Sequence, residues 1–280
     1  MSVPAKPTRR SASPGRSLLL AGVALVSLLM AAPLVWMLLG SLRSNEEILR
    51  APFALPEAWR WGQWSEAWVE GNLSAYAVNS GVVTALSVTL TVLLGAAAAY
   101  PLARESGATP RTLLLYLVGL VVPAQAAVVP LFLLLRSLRL LDTWWALVLP
   151  YVAWNLPVAV FVFYGFFRGQ STEPEEAARL DGCGPLAIFW RIALPIARPA
   201  AGVVAILTAL AVWNELLFAL LFVSSESART LPLGLLAFSS AHTTDYGLTF
   251  AALSMMSLPL LVAYAFVQRW LIEGAEVTLA

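Results

Sequence analysis

Three residue types that carry much of enzyme chemistry are nearly missing from this chain. It has one lysine (Lys6), one histidine (His242) and one cysteine (Cys183) in 280 residues. A phosphate-binding loop of the Walker type needs a Gly-rich turn ending in Lys-Ser or Lys-Thr. Lys6 is followed by Pro7, so the chain has no such loop. One histidine and one cysteine cannot build a metal cluster, so the expectation is no metal site and no internal disulfide. A serine–histidine pair would have to use His242 beside Ser239 and Ser240. The plainer reading is a polar surface histidine in a loop.

The carboxylates are more informative. Glu215 is the only charge in the apolar stretch 199–225. An acid at the centre of such a stretch costs about 3 kcal/mol on membrane-insertion scales. Two readings stay open for Glu215 and its neighbour Asn214: a residue lining a solute pathway or gate, or a buried acid paired across a helix interface. Gln125, Asn155 and Asn79 are weaker candidates of the same kind. The other carboxylates of note cluster in "EPEEAARLDGCGPLAIFWRIALP" (173–195), a polar insert between long apolar runs.

Those runs define the class. Hydrophobic residues make up 60% of the chain and charged ones 12%, with a mean hydropathy of +0.79. Soluble domains carry about a quarter charged residues, so this composition calls for lipid as the solvent. Charge-free runs cover 17–42, 71–103, 112–135, 143–167 and 246–268. With 199–225, each meets the roughly 20 residues a membrane-crossing helix needs. The runs are continuous rather than alternating, which indicates helices and not barrel strands. The expectation is an all-α polytopic membrane protein with six spans at 18–40, 79–102, 112–135, 144–167, 199–223 and 247–270. The stretch 230–244 is shorter and more polar and reads as a loop. The first span is too long for a signal-peptide core, and no clean cleavage site follows it.

Basic residues orient the bundle. With the N-terminus inside, inner segments hold 11 Lys and Arg and outer segments hold 6. Both termini are therefore expected in the cytoplasm of a cell with an inner or plasma membrane. The net charge of +1 gives no sign of a nucleic-acid partner. Segment 41–75 is then outer. It holds Trp59, Trp61, Trp64 and Trp68, and the last three have helical spacing. An interfacial helix is expected there, with contact to an outside protein as the alternative.

The insert lies on the inner face. Pro174 suits a first helical turn, and Thr172 or Ser171 can cap it. The acids Glu173, Glu175 and Glu176 suit the positive end of the helix dipole. A helix over Glu175 to Asp181 should stop at "GCGP", where Gly182 can turn left-handed and Pro185 can open a second helix to Ala193. Physically this is either a rigid helix–turn–helix offered to a cytoplasmic partner or an ordinary amphipathic loop.

The same stretch resembles a known motif. Glu176-Ala177-Ala178, Gly182 and Ile192-x-Leu194-Pro195 fit Glu-Ala-Ala, three residues, Gly, nine residues, Ile-x-Leu-Pro without a gap. This resembles the coupling-helix loop of bacterial ABC importer permeases. "NSGVVTALSVTL" (79–90), "VPLFLLLRSLRLLDTWWALVLPY" (129–151), "WNELLFALLFV" (213–223), "TLPLGL" (230–235) and "LPLLVAYAFVQRW" (258–270) are similar to the carbohydrate branch, in particular its shorter permease resembling the maltose-system G subunit.

The resemblance implies a type I ABC importer permease fold. A permease domain would cover 70–272 and contain the coupling loop 171–195. It would be preceded by a tail at 1–17, a first span at 18–40 and the outer segment 41–75, and followed by a cytoplasmic tail at 273–280. It implies a second homologous permease, two copies of an ABC ATPase that bind ATP-Mg, an extracytoplasmic solute-binding protein and a sugar substrate, with no cofactor in this chain. It implies ATPase coupling at Glu176, Ala177, Ala178, Asp181, Gly182, Ile192, Leu194 and Pro195. The outer loop 224–247, with Ser239, Ser240, His242 and Asp245, falls where relatives insert a loop into the binding protein; a plain hairpin loop is the alternative. The branch often ends in a Lys-containing tail. "EGAEVTLA" keeps Gly274 but has no lysine, which puts a tail contact in doubt. A secondary carrier would need several intramembrane ionisable groups and inverted repeats. Only Glu215 is present and no repeat is visible.

Overall fold

The computed structural model describes residues 14–104, 111–121, 123–238 and 245–279. Among them every regular element is helical. Backbone groups in lipid must be satisfied within the segment, and helices do this from apolar sequence alone. In chain order, α1 (Pro14–Gly40), α2 (Asn45–Arg50) and α3 (Gly62–Glu70) lead into α4 (Leu73–Arg104). Then come α5 (Arg111–Gly119), α6 (Ala124–Ser137) and α7 (Trp145–Gly169). The polar insert forms α8 (Glu173–Leu180), α9 (Pro185–Ile188), a π-helical turn (Phe189–Ala193) and α10 (Leu194–Ile196). The chain ends in α11 (Arg198–Trp213), α12 (Leu217–Phe222), α13 (Leu231–Gly234) and α14 (Tyr246–Leu279), with 3₁₀ turns at Glu226–Ala228 and Leu235–Phe238.

Among the described residues, three helices are long and apolar enough to cross a membrane unbroken: Leu18–Gly40, Leu73–Arg104 and Trp145–Gly169. The other expected spans differ from the sequence reading. The span expected at 112–135 is two helices, α5 and α6, because Pro123 takes an extended backbone (ψ 138°) and starts α6. The span expected at 199–223 is interrupted at Asn214–Leu216, between α11 and α12. The sixth runs on as helix through 273–279, where a tail was expected. The stretch 230–244, expected to be a loop, begins with α13 and a 3₁₀ turn. Leu231, Pro232, Leu233 and Gly234 are buried there.

The bundle is built on α4 and α7, with α11 across them. Small residues make that approach possible. Ala96, Ala99 and Ala103 of α4 are buried, and a Cβ added to Gly95 would lie 2.7 Å from the Cβ of Ala159. Tight helix contact in lipid rests on such small side chains, since apolar burial gives little net drive there. Phe163, Phe167, Phe189 and Val204 fill the space around them at the α8 end. Tyr151, Phe218 and Phe222 pack the core towards the far end.

α1 stands apart. Its apolar side chains from Leu18 to Val35 are exposed, and the helix meets the bundle near its C-terminal end. There Trp36 packs edge-on against Phe250 of α14, with ring centroids 5.0 Å apart. Arg43 is buried just beyond it and donates to the carbonyls of Glu47, Ala51 and Pro52, which folds the chain back over α2. The Trp-rich helix expected between 41 and 75 is α3. Trp64 is half-buried, and its indole donates to Ser41 Oγ at 3.0 Å.

Candidate functional site

The polar insert folds as the sequence chemistry dictates, with shifted boundaries. Ser171 Oγ accepts from the Glu173 N–H, and the Thr172 hydroxyl donates to Glu176 Oε1 at 2.7 Å. The acids Glu173, Glu175 and Glu176 fill the first turn of α8, where the dipole favours negative charge. At the other end the Gly182 N–H bonds to the Arg179 carbonyl and the Cys183 N–H to the Ala178 carbonyl. Gly182 has φ +81°. This is the Schellman closure, which needs a left-handed residue after the helix. The second helix, expected to run to Ala193, ends at Ile188 and continues as the π turn. Pro195 and Pro199 follow, each lacking an N–H to continue the ladder. The segment 185–196 then meets α11 at 74°.

α8 has two faces. Glu175 and Ala178 are buried against this chain, whereas Glu176, Ala177, Leu180 and Asp181 are exposed. Ala178 was expected to face a partner together with Ala177. The three-residue step from Glu175 to Ala178 puts it on the inner face instead. Leu180 is 90% exposed and Leu186 75%. These apolar side chains stand in solvent beside the acids. Ile192, Leu194 and Pro195 are half-buried along the return to α11.

Sequence reasoning read Glu175 only as a first-turn acid and missed its pairing with Arg104. Glu175 Oε1 accepts from Arg104 Nη2 at 2.7 Å, and Oε2 accepts from the Tyr100 hydroxyl at 2.8 Å. Arg104 Nη1 donates to the Phe167 carbonyl at 2.5 Å. One visible signal was a lone arginine closing the apolar run 71–103.

The candidate pathway residues fall in different places. Glu215 sits in the break between α11 and α12. It accepts from the Tyr151 hydroxyl at 2.6 Å and from the Phe218 N–H at 3.0 and 3.1 Å. The carboxylate thus caps the open N-terminus of α12. Asn214 is exposed and donates back to the Leu210 carbonyl. Asn155 lies one turn along α7 from Tyr151 and donates to its carbonyl. Gln125 is exposed in the first turn of α6.

Asn79 lies towards the far end. Its amide donates to the carbonyls of Ser227 and Arg229, and its oxygen accepts from the Trp144 indole. It ties α4 to the chain after α12. Replacing it by alanine is expected to lower stability by about 1–3 kcal/mol, the usual cost of orphaned polar groups. Thermal unfolding of the purified chain would check this.

Asp142 makes a second tie at that end. Its Oδ1 accepts from the N–H groups of Ser224 and Ser225. These backbone donors hold its carboxyl below the usual carboxylate range. Ser239, Ser240 and His242 lie outside the described residues. Asp245 caps α14 through the Leu248 N–H and lines a polar recess of about 460 Å³ with Glu46, Arg60, Gln63 and Glu66.

Apolar helices long enough to cross a membrane, with a two-faced polar helix at one end of the bundle, are the features of a membrane-embedded protein. The chain belongs to the family of binding-protein-dependent transport system inner membrane components, which matches residues 91–275. It is 38% identical over 245 residues to the probable ABC transporter permease protein YurM of Bacillus subtilis, covering 87% of this chain and 81% of that one. It is also 38% identical over 266 residues to the diacetylchitobiose uptake permease NgcG of Streptomyces coelicolor, covering 93% and 86%. Its fold matches a bacterial ABC transporter that imports the polysaccharide alginate, with a TM-score of 0.77, 20% identity and coverage of 94% and 99%. The chain is therefore a permease subunit of an ABC importer, with the type I permease fold.

Proposed function

We propose that this permease forms half of an inward pathway for a sugar or oligosaccharide. A second homologous permease supplies the other half. Two copies of an ABC ATPase bind ATP-Mg and drive the cycle, and an extracytoplasmic solute-binding protein delivers the solute. This chain contributes no ATPase site and no cofactor, in keeping with its single, tail-borne Lys6. Both termini and α8 lie on the cytoplasmic side, which the excess of basic residues on those segments supports. The uptake of diacetylchitobiose named for NgcG supports a carbohydrate cargo.

The observation that carries the reading is the split of α8. Its inner face is bonded into the bundle, while Glu176, Ala177, Leu180 and Asp181 face away from it. Small Ala177 lets a partner backbone come close, Glu176 and Asp181 offer charge, and Gly182 supplies the turn. The test is to tag the chain, extract it gently from its native membrane and identify what co-purifies by mass spectrometry. A Walker-type ATPase and a second permease are expected. A chain that purifies alone and transports in liposomes without ATP would overturn the reading.

A further inference from the structure

We propose that Arg104 and Glu175 are positioning residues: a buried clamp that makes α8 move as one body with α4 and α7. The inference rests on the reading that α8 meets the ATPase. Both carboxylate oxygens of Glu175 are engaged. Oε1 takes Nη2 and Nε of Arg104 at 2.7 and 3.1 Å, and Oε2 takes Nε at 3.1 Å and the Tyr100 hydroxyl at 2.8 Å. The remaining arm of the guanidinium, Nη1, holds the Phe167 carbonyl near the end of α7. The side chains are 14% and 4% exposed. The Arg104–Glu175 pair thus joins α8 to the ends of two spans, α4 directly and α7 through the guanidinium.

Stability alone is a weak reason for such a pair. Burying two charges costs about as much as their attraction returns, and apolar residues of the same size often serve as well. Ala178, Ile188 and Phe189 already give this segment apolar burial. Apolar contacts, however, are non-directional and tolerate sliding. A forked guanidinium–carboxylate pair fixes both distance and orientation. A helix that must pass displacement to the membrane needs the second kind of joint. Arg168 adds to the seam by donating to the Ala103 carbonyl across α7 and α4.

The experiment uses the complete importer in proteoliposomes and reads solute transported per ATP hydrolysed. Glu175→Gln and Arg104→Gln are each expected to keep ATP hydrolysis responsive to the loaded binding protein. Each should lower the transport-to-ATP ratio by about tenfold, within the usual range of coupling between linked sites. The double variant Glu175→Gln/Arg104→Gln removes the stranded charge. It is expected to recover thermal stability and assembly but not the ratio. Recovery of the ratio in the double variant, or parallel loss of transport and hydrolysis in the single ones, overturns the clamp. A photo-crosslinker on Leu180→Cys, in a Cys183→Ser background, reports contact with the ATPase. Its failure to cross-link with Arg104 and Glu175 intact overturns the docking reading and the clamp with it. Cross-linking with an unchanged ratio in the single variants overturns the clamp alone.

Discussion

Replacing Gly182 by glutamate is expected to stop solute accumulation while ATP hydrolysis continues. Two effects combine at this position, and their sizes separate them. A side chain at φ +81° carries strain of about 1–2 kcal/mol. That is too little to unfold a bundle built on α4, α7 and α11. Apart from its two chain neighbours, no atom of the described residues lies within 4 Å of a Cβ added there, so a side chain has open space to enter. On the proposed reading the ATPase occupies that space, and the bulk and charge land in the joint. Gly182→Asn is the control, because asparagine tolerates the left-handed region. It should keep most transport, whereas the glutamate variant loses it. Transport and phosphate release measured together in proteoliposomes give the answer. Full transport by Gly182→Glu would sink the placement of α8 at the ATPase.

Glu215→Ala is expected to destabilise the bundle, and Glu215→Gln is not. Alanine strands the Tyr151 hydroxyl and leaves the Phe218 N–H without its cap. Each orphan in an apolar setting costs about 1–3 kcal/mol, so a loss of at least about 2 kcal/mol follows. By the scaling for large soluble domains, a loss of about 2 kcal/mol corresponds to a fall in Tm of about 4–8 °C. Glutamine keeps an oxygen for Phe218 and a partner for Tyr151, so its Tm should stay within a few degrees. Unfolding in detergent reads the stability, and transport reads the rest. A stable glutamine variant that fails to transport would assign the charge a part in the solute path. A stable, active one leaves Glu215 as the cap of α12.

Composition and apolar runs were enough to place the helices, because lipid leaves helices as the answer to continuous apolar sequence. The insert was equally legible: Pro174, Gly182 and Pro185 each act through local backbone chemistry that no distant contact overrides. The breaks inside two spans were not. Hydropathy measures transfer free energy and is blind to a lost turn of helix. Proline does not mark breaks reliably either. Pro123 opens a new helix, whereas Pro101, Pro150, Pro157 and Pro259 sit inside continuous ones. Neighbouring helices satisfy the freed carbonyls in lipid, so the same residue gives both outcomes. The inner face of α8 was hidden for another reason. An acid, Glu175, is buried there beside Ala178 while Leu180 is 90% exposed, the reverse of the usual amphipathic pattern. The positions of Arg104 and Tyr100, 71 and 75 residues upstream, make Glu175 an inner residue.

If segment 185–196 meets the ATPase as proposed, its bend of 74° against α11 has a mechanical consequence. Ala197 at the corner is fully buried and prolines flank it on both sides, so the angle cannot open freely. Two arms fixed at a steep angle make a crank. On the proposed reading, a sideways push on the short arm would reach the membrane as torque about the axis of α11. At the other end of that shaft, Glu215 is bonded to α12 and Tyr151, and the Asp142 N–H holds the Phe222 carbonyl at the end of α12. On that reading the interruption at Asn214–Leu216 is where such a rotation would be taken up.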